Sequence, residues 1–200
     1  MLKAIVPAAL VAVALAALPA QGADQTLSTK IYIVKSGTMS KFVSKPVPPV
    51  SLAALNPTLA PGGRIRFCIQ GGPDAWSFIG LPELNWKALG NPPGSKGFKY
   101  KGAGTLADPC KIVLIKANVV KAICKTTDPN YTQPVGGDDG GWEIEINPGF
   151  SERLCGSLEG GTIVKDTTTL YKGKAAPAPA VCPNVGSPSG AFLAPVSALF

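Results

Sequence analysis

From residue 30 to residue 171 the chain repeatedly alternates apolar and polar side chains over short runs and then breaks at glycine, proline or asparagine. Successive side chains of an extended chain point to opposite faces, so a period of two predicts half-buried strands. No segment carries the longer apolar period of an amphipathic helix. The runs are Lys30–Lys35, Lys41–Ser44, Arg64–Gln70, Ala75–Ile79, Gly97–Lys101, Lys111–Lys116, Val119–Lys125, Trp142–Ile146, Glu152–Cys155, Thr162–Lys165 and Thr168–Tyr171. About eleven short strands separated by frequent turn signals predict an all-β antiparallel β-sandwich, immunoglobulin-like or jelly-roll-like. Only Ser51–Leu55 and Glu83–Leu89 leave room for a short helix. The proline-rich segment from Lys45 to Val50 cannot donate to a ladder and reads as a crossover or edge segment, and Asn91-Pro-Pro-Gly94 reads as a turn.

The two ends differ from this middle. Lys3 precedes an apolar run from Ala4 to Leu18 that closes on small residues up to Ala23, the layout of a secretory signal peptide. The run is alanine-rich, contains Pro7, and is short of the roughly 20 strongly apolar residues that span a bilayer. We therefore read residues 1–23 as a leader, 24–182 as the sandwich and 183–200 as a flexible tail ending in Ala191–Phe200. No later stretch is apolar for long enough to cross a membrane, so the expected location is extracytoplasmic, periplasmic or secreted.

Export sets the state of the five cysteines at 68, 110, 124, 155 and 182, because thiols pair in an oxidising compartment. Two bridges and one leftover thiol are expected. The runs 111–116 and 119–125 read as a hairpin. A turn of three residues, Lys116 to Asn118, would set Cys110 opposite Cys124, whereas a two-residue turn would offset them by one. A bridge from Cys155 to Cys182 would pin the Ala-Pro-Ala-Pro segment against the domain, leaving Cys68 unpaired unless it competes for one of the four. The cysteines show no Cys-x-x-Cys spacing, and the chain has no histidine, so zinc and thioredoxin-like readings lack their ligands.

The run Gly97-Phe-Lys-Tyr-Lys101, the strand Lys111–Lys116, Glu152-Arg-Leu-Cys155, Gly160-Gly-Thr-Ile-Val-Lys165 and Ala175–Pro183 together resemble a pattern of exported, β-rich bacterial proteins. The resemblance covers most of residues 64 to 183. It implies that the Arg-x-Cys, Gly-Gly-Thr and Cys-Pro elements belong to one module, and hence that Cys155 pairs with Cys182. It implies no activity, ligand or catalytic residue.

Candidate sites are few. Asp138 and Asp139, within Gly136–Gly141, together with Glu143 and Glu145 are the best metal candidates, since oxygen-rich loops can hold Ca2+; no other cofactor is expected. The same residues also suit a β-turn followed by a solvated strand face, with Glu143 and Glu145 alternating against Trp142, Ile144 and Ile146. Lysines 96, 99, 101, 111, 116, 121 and 125 fall on neighbouring β segments, and Lys99 and Lys101 share a face opposite Phe98 and Tyr100. Such a strip can attract anionic polysaccharide, lipid head groups or nucleic acid, or can simply keep strand edges soluble. Trp76, Trp86, Trp142 and Tyr100 offer ring faces for sugar stacking. Trp86, in what reads as a loop, is the one of these expected to meet a ligand.

Without histidine, and without a Gly-x-Ser-x-Gly elbow or a suitably placed Ser-x-x-Lys, nucleophilic catalysis has no activating base. These observations lead to the expectation of a non-catalytic extracytoplasmic binding or structural module. Its expected ligand is an anionic polysaccharide, another envelope component or a protein partner, with no nucleic acid. The alternative is a hydrolase acting on polysaccharide through paired carboxylates, for which Glu83, Asp108, Asp138, Asp139, Glu143 and Glu145 are available and no pair is singled out.

Overall fold

The computed structural model describes residues 24–35, 37–68, 77–125, 140–146 and 152–182. The leader and tail assigned from the sequence, together with Trp76, Asp138 and Asp139, lie outside the described residues. Thirteen strands are described: β1 (Gln25–Thr26), β2 (Thr29–Lys35), β3 (Met39–Ser44), β4 (Gly63–Cys68), β5 (Ser77–Leu81), β6 (Trp86–Leu89), β7 (Gly97–Tyr100), β8 (Cys110–Lys116), β9 (Val119–Cys124), β10 (Gly141–Ile146), β11 (Glu152–Ser157), β12 (Thr162–Thr167) and β13 (Leu170–Ala176). They form a five-stranded sheet in the order β1-β11-β10-β4-β5 and an eight-stranded sheet in the order β12-β13-β2-β3-β9-β8-β7-β6. All pairings are antiparallel except the short parallel contact of β1 with β11.

The two sheets pack face to face through the side chains that the alternating pattern points inward. Phe42 on β3 stacks on Trp142 of β10 with ring centroids 3.9 Å apart, and Phe67 of β4 meets both Tyr32 and Phe42. The Trp142 indole Nε1–H donates across the sandwich to Thr29 Oγ1 at 2.9 Å, which satisfies a donor that would otherwise be stranded in the core. Gly156 makes room for this bond, since a Cβ there would stand 2.5 Å from the indole nitrogen and 2.6 Å from Thr29 Oγ1. One apolar cluster runs from Leu27 to Ala176 through both sheets.

Both disulfides are present, Cys110–Cys124 and Cys155–Cys182. The hairpin that carries the first differs in detail from the three-residue turn considered above. Lys116 pairs with Val119, so the turn is the two residues Ala117 and Asn118, and the straight register would leave the cysteines offset. A bulge at Lys111, between Cys110 and Ile112, absorbs the extra residue and restores Cys110 to its place opposite Cys124.

The segment Glu83–Leu89, read above as a possible helix or loop, is a single 3-10 turn over Glu83–Asn85 followed by β6. Ser51–Leu55 forms turns without a helix. The proline-rich crossover after β3 stays out of both sheets and is tied down by Val50 N–H donating to Ala117 O at 2.8 Å. β7 begins at Gly97 because the backbone there has φ 99° and a Cβ would lie 2.0 Å from the Ile115 carbonyl oxygen.

Candidate functional site

The outer face of the eight-stranded sheet is built from the positions that alternate with the core. Ladder registers place Lys172, Ile33, Lys41, Ile123 and Ile112 in one row across β13, β2, β3, β9 and β8. A second row runs Lys174, Ile31, Val43, Lys121, Leu114, Lys99 and Lys87, reaching β6. Leu170, Lys35 and Met39 continue the face at one end, Lys116 and Val119 at the other, and Lys165 of β12 lies opposite Lys172. Apart from threonines on the edge strand β12 and Gly97, these outward positions hold only lysines and aliphatic residues.

Every aliphatic residue in the two rows is half-buried, while Lys35, Lys87, Lys99, Lys116, Lys165 and Lys174 are exposed. Lysine stems lying along the sheet shield apolar side chains and hold the ammonium groups in water. Asp166, the carboxylate of these strands, is in register with core-facing Tyr171 and so belongs to the opposite face. None of these lysines has an ion-pair partner among the described residues, where the ion pairs all involve arginine. Like charges with no counter-charge among the described residues sum to a positive potential over this side of the sandwich.

The lysines singled out from the sequence are distributed around this face. Lys99, Lys116 and Lys121 point outward from β7, β8 and β9; Lys111 is exposed at the bulge; Lys96, Lys101 and Lys125 are exposed at strand ends. Missed from the sequence were Lys41, Lys87, Lys172 and Lys174, which belong to the same two rows. Their signal was the same lysine-aliphatic alternation, but which strands stand side by side is set by long-range pairing.

The aromatic candidates are placed differently. Trp86 starts strand β6 and is buried, its Nε1–H donating to Leu81 O at 3.2 Å and its ring edge-on to Tyr100. The loop assignment for Trp86 is thus corrected: the apolar rings of β6 and β7 complete the core at this end of the sheet. Tyr100 is also fully buried, and its hydroxyl donates to Asp108 Oδ1 at 2.7 Å. Burial, together with the Asp108 carboxylate, pushes the phenol up to about 12 despite the Asn85 hydrogen bond. Asp108 also accepts from Ala103 N–H at 2.7 Å, so it closes the loop between β7 and β8.

Glu143 and Glu145 are not on a solvated face. They lie on the outer side of the five-stranded sheet, both buried, where the ladder sets Glu143 opposite Arg66 and Cys155, and Glu145 opposite Arg64 and Arg153. Glu145 Oε2 accepts from Arg66 Nη2 at 3.2 Å and from Arg64 Nε. Arg66 Nη1 lies 3.8 Å from Glu143 Oε1. Arg153 pairs with Asp24 through Nε at 2.7 Å and through Nη2, a hydrogen bond that raises the Arg153 guanidinium above its ordinary value. Burial pulls Arg66 below its ordinary value and pushes the Glu143 carboxyl up, outweighing the attraction of Arg66 and Arg153. Neither Glu143 oxygen has a hydrogen-bond partner among the described residues.

For metal binding, the cations facing Glu143 are guanidinium groups, and no cluster of three or more His, Cys, Asp or Glu side chains occurs among the described residues. A cleft of about 550 Å³ lies between the loop after β3 and the β6–β7 turn, with Leu55, Ala88 and Phe98 in its walls and Asn56, Thr58 and Ser95 as polar lining. A second cleft of about 420 Å³ is lined by Lys30, Lys45 and the start of the C-terminal segment at Pro177. Neither cleft is lined by a carboxylate.

The fold and disulfides define the class: an all-β sandwich stapled by two bridges. No family model, no curated protein and no solved structure matches the chain. No helix among the described residues is long and apolar enough to cross a membrane.

Proposed function

We propose that this chain is a non-catalytic extracytoplasmic module that binds an anionic component of the cell envelope through the outer face of its eight-stranded sheet. One observation carries the reading: two register rows of lysines, among them Lys41, Lys99 and Lys121, with no carboxylate on the same face among the described residues. A face used only for solubility gains from mixing both signs of charge, whereas a face of one sign concentrates counter-ions of the other. The leader-like N-terminus and the two disulfides support an oxidising, extracytoplasmic location.

The test is retention of the purified protein on uronate and phosphate-bearing matrices, eluted with salt, beside a neutral glycan matrix. Retention on both anionic matrices, with earlier elution of a Lys41→Gln, Lys99→Gln, Lys121→Gln variant, is the expected result. Equal elution of variant and wild type, or retention on the neutral glycan alone, would overturn the assignment to this face.

A further inference from the structure

Resting on that reading, we infer that the ligand of the lysine face is an anionic amphiphile surface, the phosphate-bearing face of a lipid bilayer, rather than a soluble acidic polysaccharide. The argument is what the face contains and what it lacks. Between its lysines stand Ile31, Ile33, Val43, Leu114 and Ile123, all half-buried, in the same rows as the charges. The rows from β13 to β6 contain no amide, guanidinium, carboxylate or aromatic ring.

Recognition of a sugar chain draws on groups that hydrogen-bond its hydroxyls and on flat ring faces that stack on it, and among the described residues Trp86, Tyr100 and Trp142 are given to the core. An ammonium on a flexible stem is a point charge suited to phosphate, and the stem lets it reach a head group while the aliphatic residue beside it meets the interface. Lysines interleaved with aliphatic side chains are the chemistry of interfacial lipid contact, which combines attraction to anionic head groups with burial of apolar area. Charge complementarity alone would serve any polyanion; the aliphatic half of each row adds affinity only for a partner with apolar substance.

That difference has a salt signature. Exposed charges act over about 8 Å at physiological ionic strength and are screened at higher salt, whereas apolar burial is not. The experiment is co-sedimentation of the purified protein with phosphatidylcholine vesicles, with and without phosphatidylglycerol, across a salt series. The uronate and phosphate matrices are run in the same salts. The expected result is binding to the phosphatidylglycerol vesicles that persists at salt concentrations eluting the protein from both matrices. A Lys41→Gln, Lys99→Gln, Lys121→Gln variant is expected to bind the vesicles about 100-fold more weakly, at about fivefold per lysine. An Ile33→Thr, Leu114→Thr variant, checked by its denaturation midpoint, is expected to lose the salt-resistant part while keeping the matrix elution of wild type.

Vesicle binding that disappears at the same salt as matrix retention would overturn the inference and leave the anionic-ligand reading standing. So would retention on the matrices with no vesicle binding. Absence of binding to vesicles and matrices alike would overturn both. The wild-type salt series decides between these outcomes even where the threonine variant does not fold.

Discussion

Replacing Glu145 by glutamine tests the outer face of the five-stranded sheet. Its carboxylate serves two guanidinium groups, but they differ in what they lose. Arg64 is 37% exposed at the side chain and can turn to water, while Arg66 is 5% exposed and cannot. After Glu145→Gln, the remaining counter-charge for Arg66 among the described residues is Glu143 at 3.8 Å, beyond hydrogen-bonding distance. Removing one partner of a buried pair costs about 3–5 kcal/mol, because the other charge stays desolvated. The low end is expected here, since glutamine still offers one acceptor. The assay is urea denaturation followed by tryptophan fluorescence, to which Trp142, stacked on Phe42, contributes beside Trp76 and Trp86. Asp24→Asn is the internal comparison: its pair with Arg153 is partly solvated, with side chains 36% and 29% exposed, and such pairs contribute less than about 1 kcal/mol. A Glu145→Gln cost as small as that of Asp24→Asn would refute the argument, because it would mean that the change does not leave Arg66 as an unsatisfied buried charge.

Four further outcomes follow from the structure and the cysteine count. Glu143 has a folded-state pKa raised by burial, so its contribution to stability is complete at pH below the ordinary carboxylate range and is lost as pH rises through the raised value. Wild type and Glu143→Gln should therefore be equally stable in acid, with the variant gaining through that window; a gap in denaturation midpoint that does not change with pH would contradict this. Thr29→Val leaves the buried Trp142 Nε1–H without its acceptor and should cost about 1–3 kcal/mol, measured by the same unfolding curve. Breaking the Cys110–Cys124 bridge, which closes a separation of 14 residues, should cost about 3 kcal/mol, and alkylation without reduction should modify one thiol of the five, as intact mass will show.

The sequence by itself determined the all-β class and most of the strands, and it limited the staples. Alternation along Lys30–Lys35, Lys111–Lys116 and Trp142–Ile146 is a local property, because one residue's side chain points opposite to the next whatever the strand packs against. It therefore carried over into β2, β8 and β10 and into the all-β class. Cysteine count and spacing likewise limited the bridges, although the bulge at Lys111 that sets Cys110 opposite Cys124 is invisible in a pattern of residue types.

Tertiary structure alone decided which alternating face meets water. Glu143 and Glu145 alternate with apolar residues as a solvated edge would, yet β10 lies between β4 and β11, so Arg66, Arg64, Arg153 and Cys155 come to stand beside them. Trp86 follows a proline and a polar turn, yet its pairing with Tyr100 makes it core. The lysine face is the same lesson in the other direction. Lys41 and Lys121 are eighty residues apart in the chain, separated by β4 to β8, and only the pairing of β3 with β9 sets them on one surface, in neighbouring rows. Periodicity fixes how each strand divides its side chains between two faces. Which face is covered, and which charges then become neighbours, depends on non-local strand order, whose free energy is spread over the whole core.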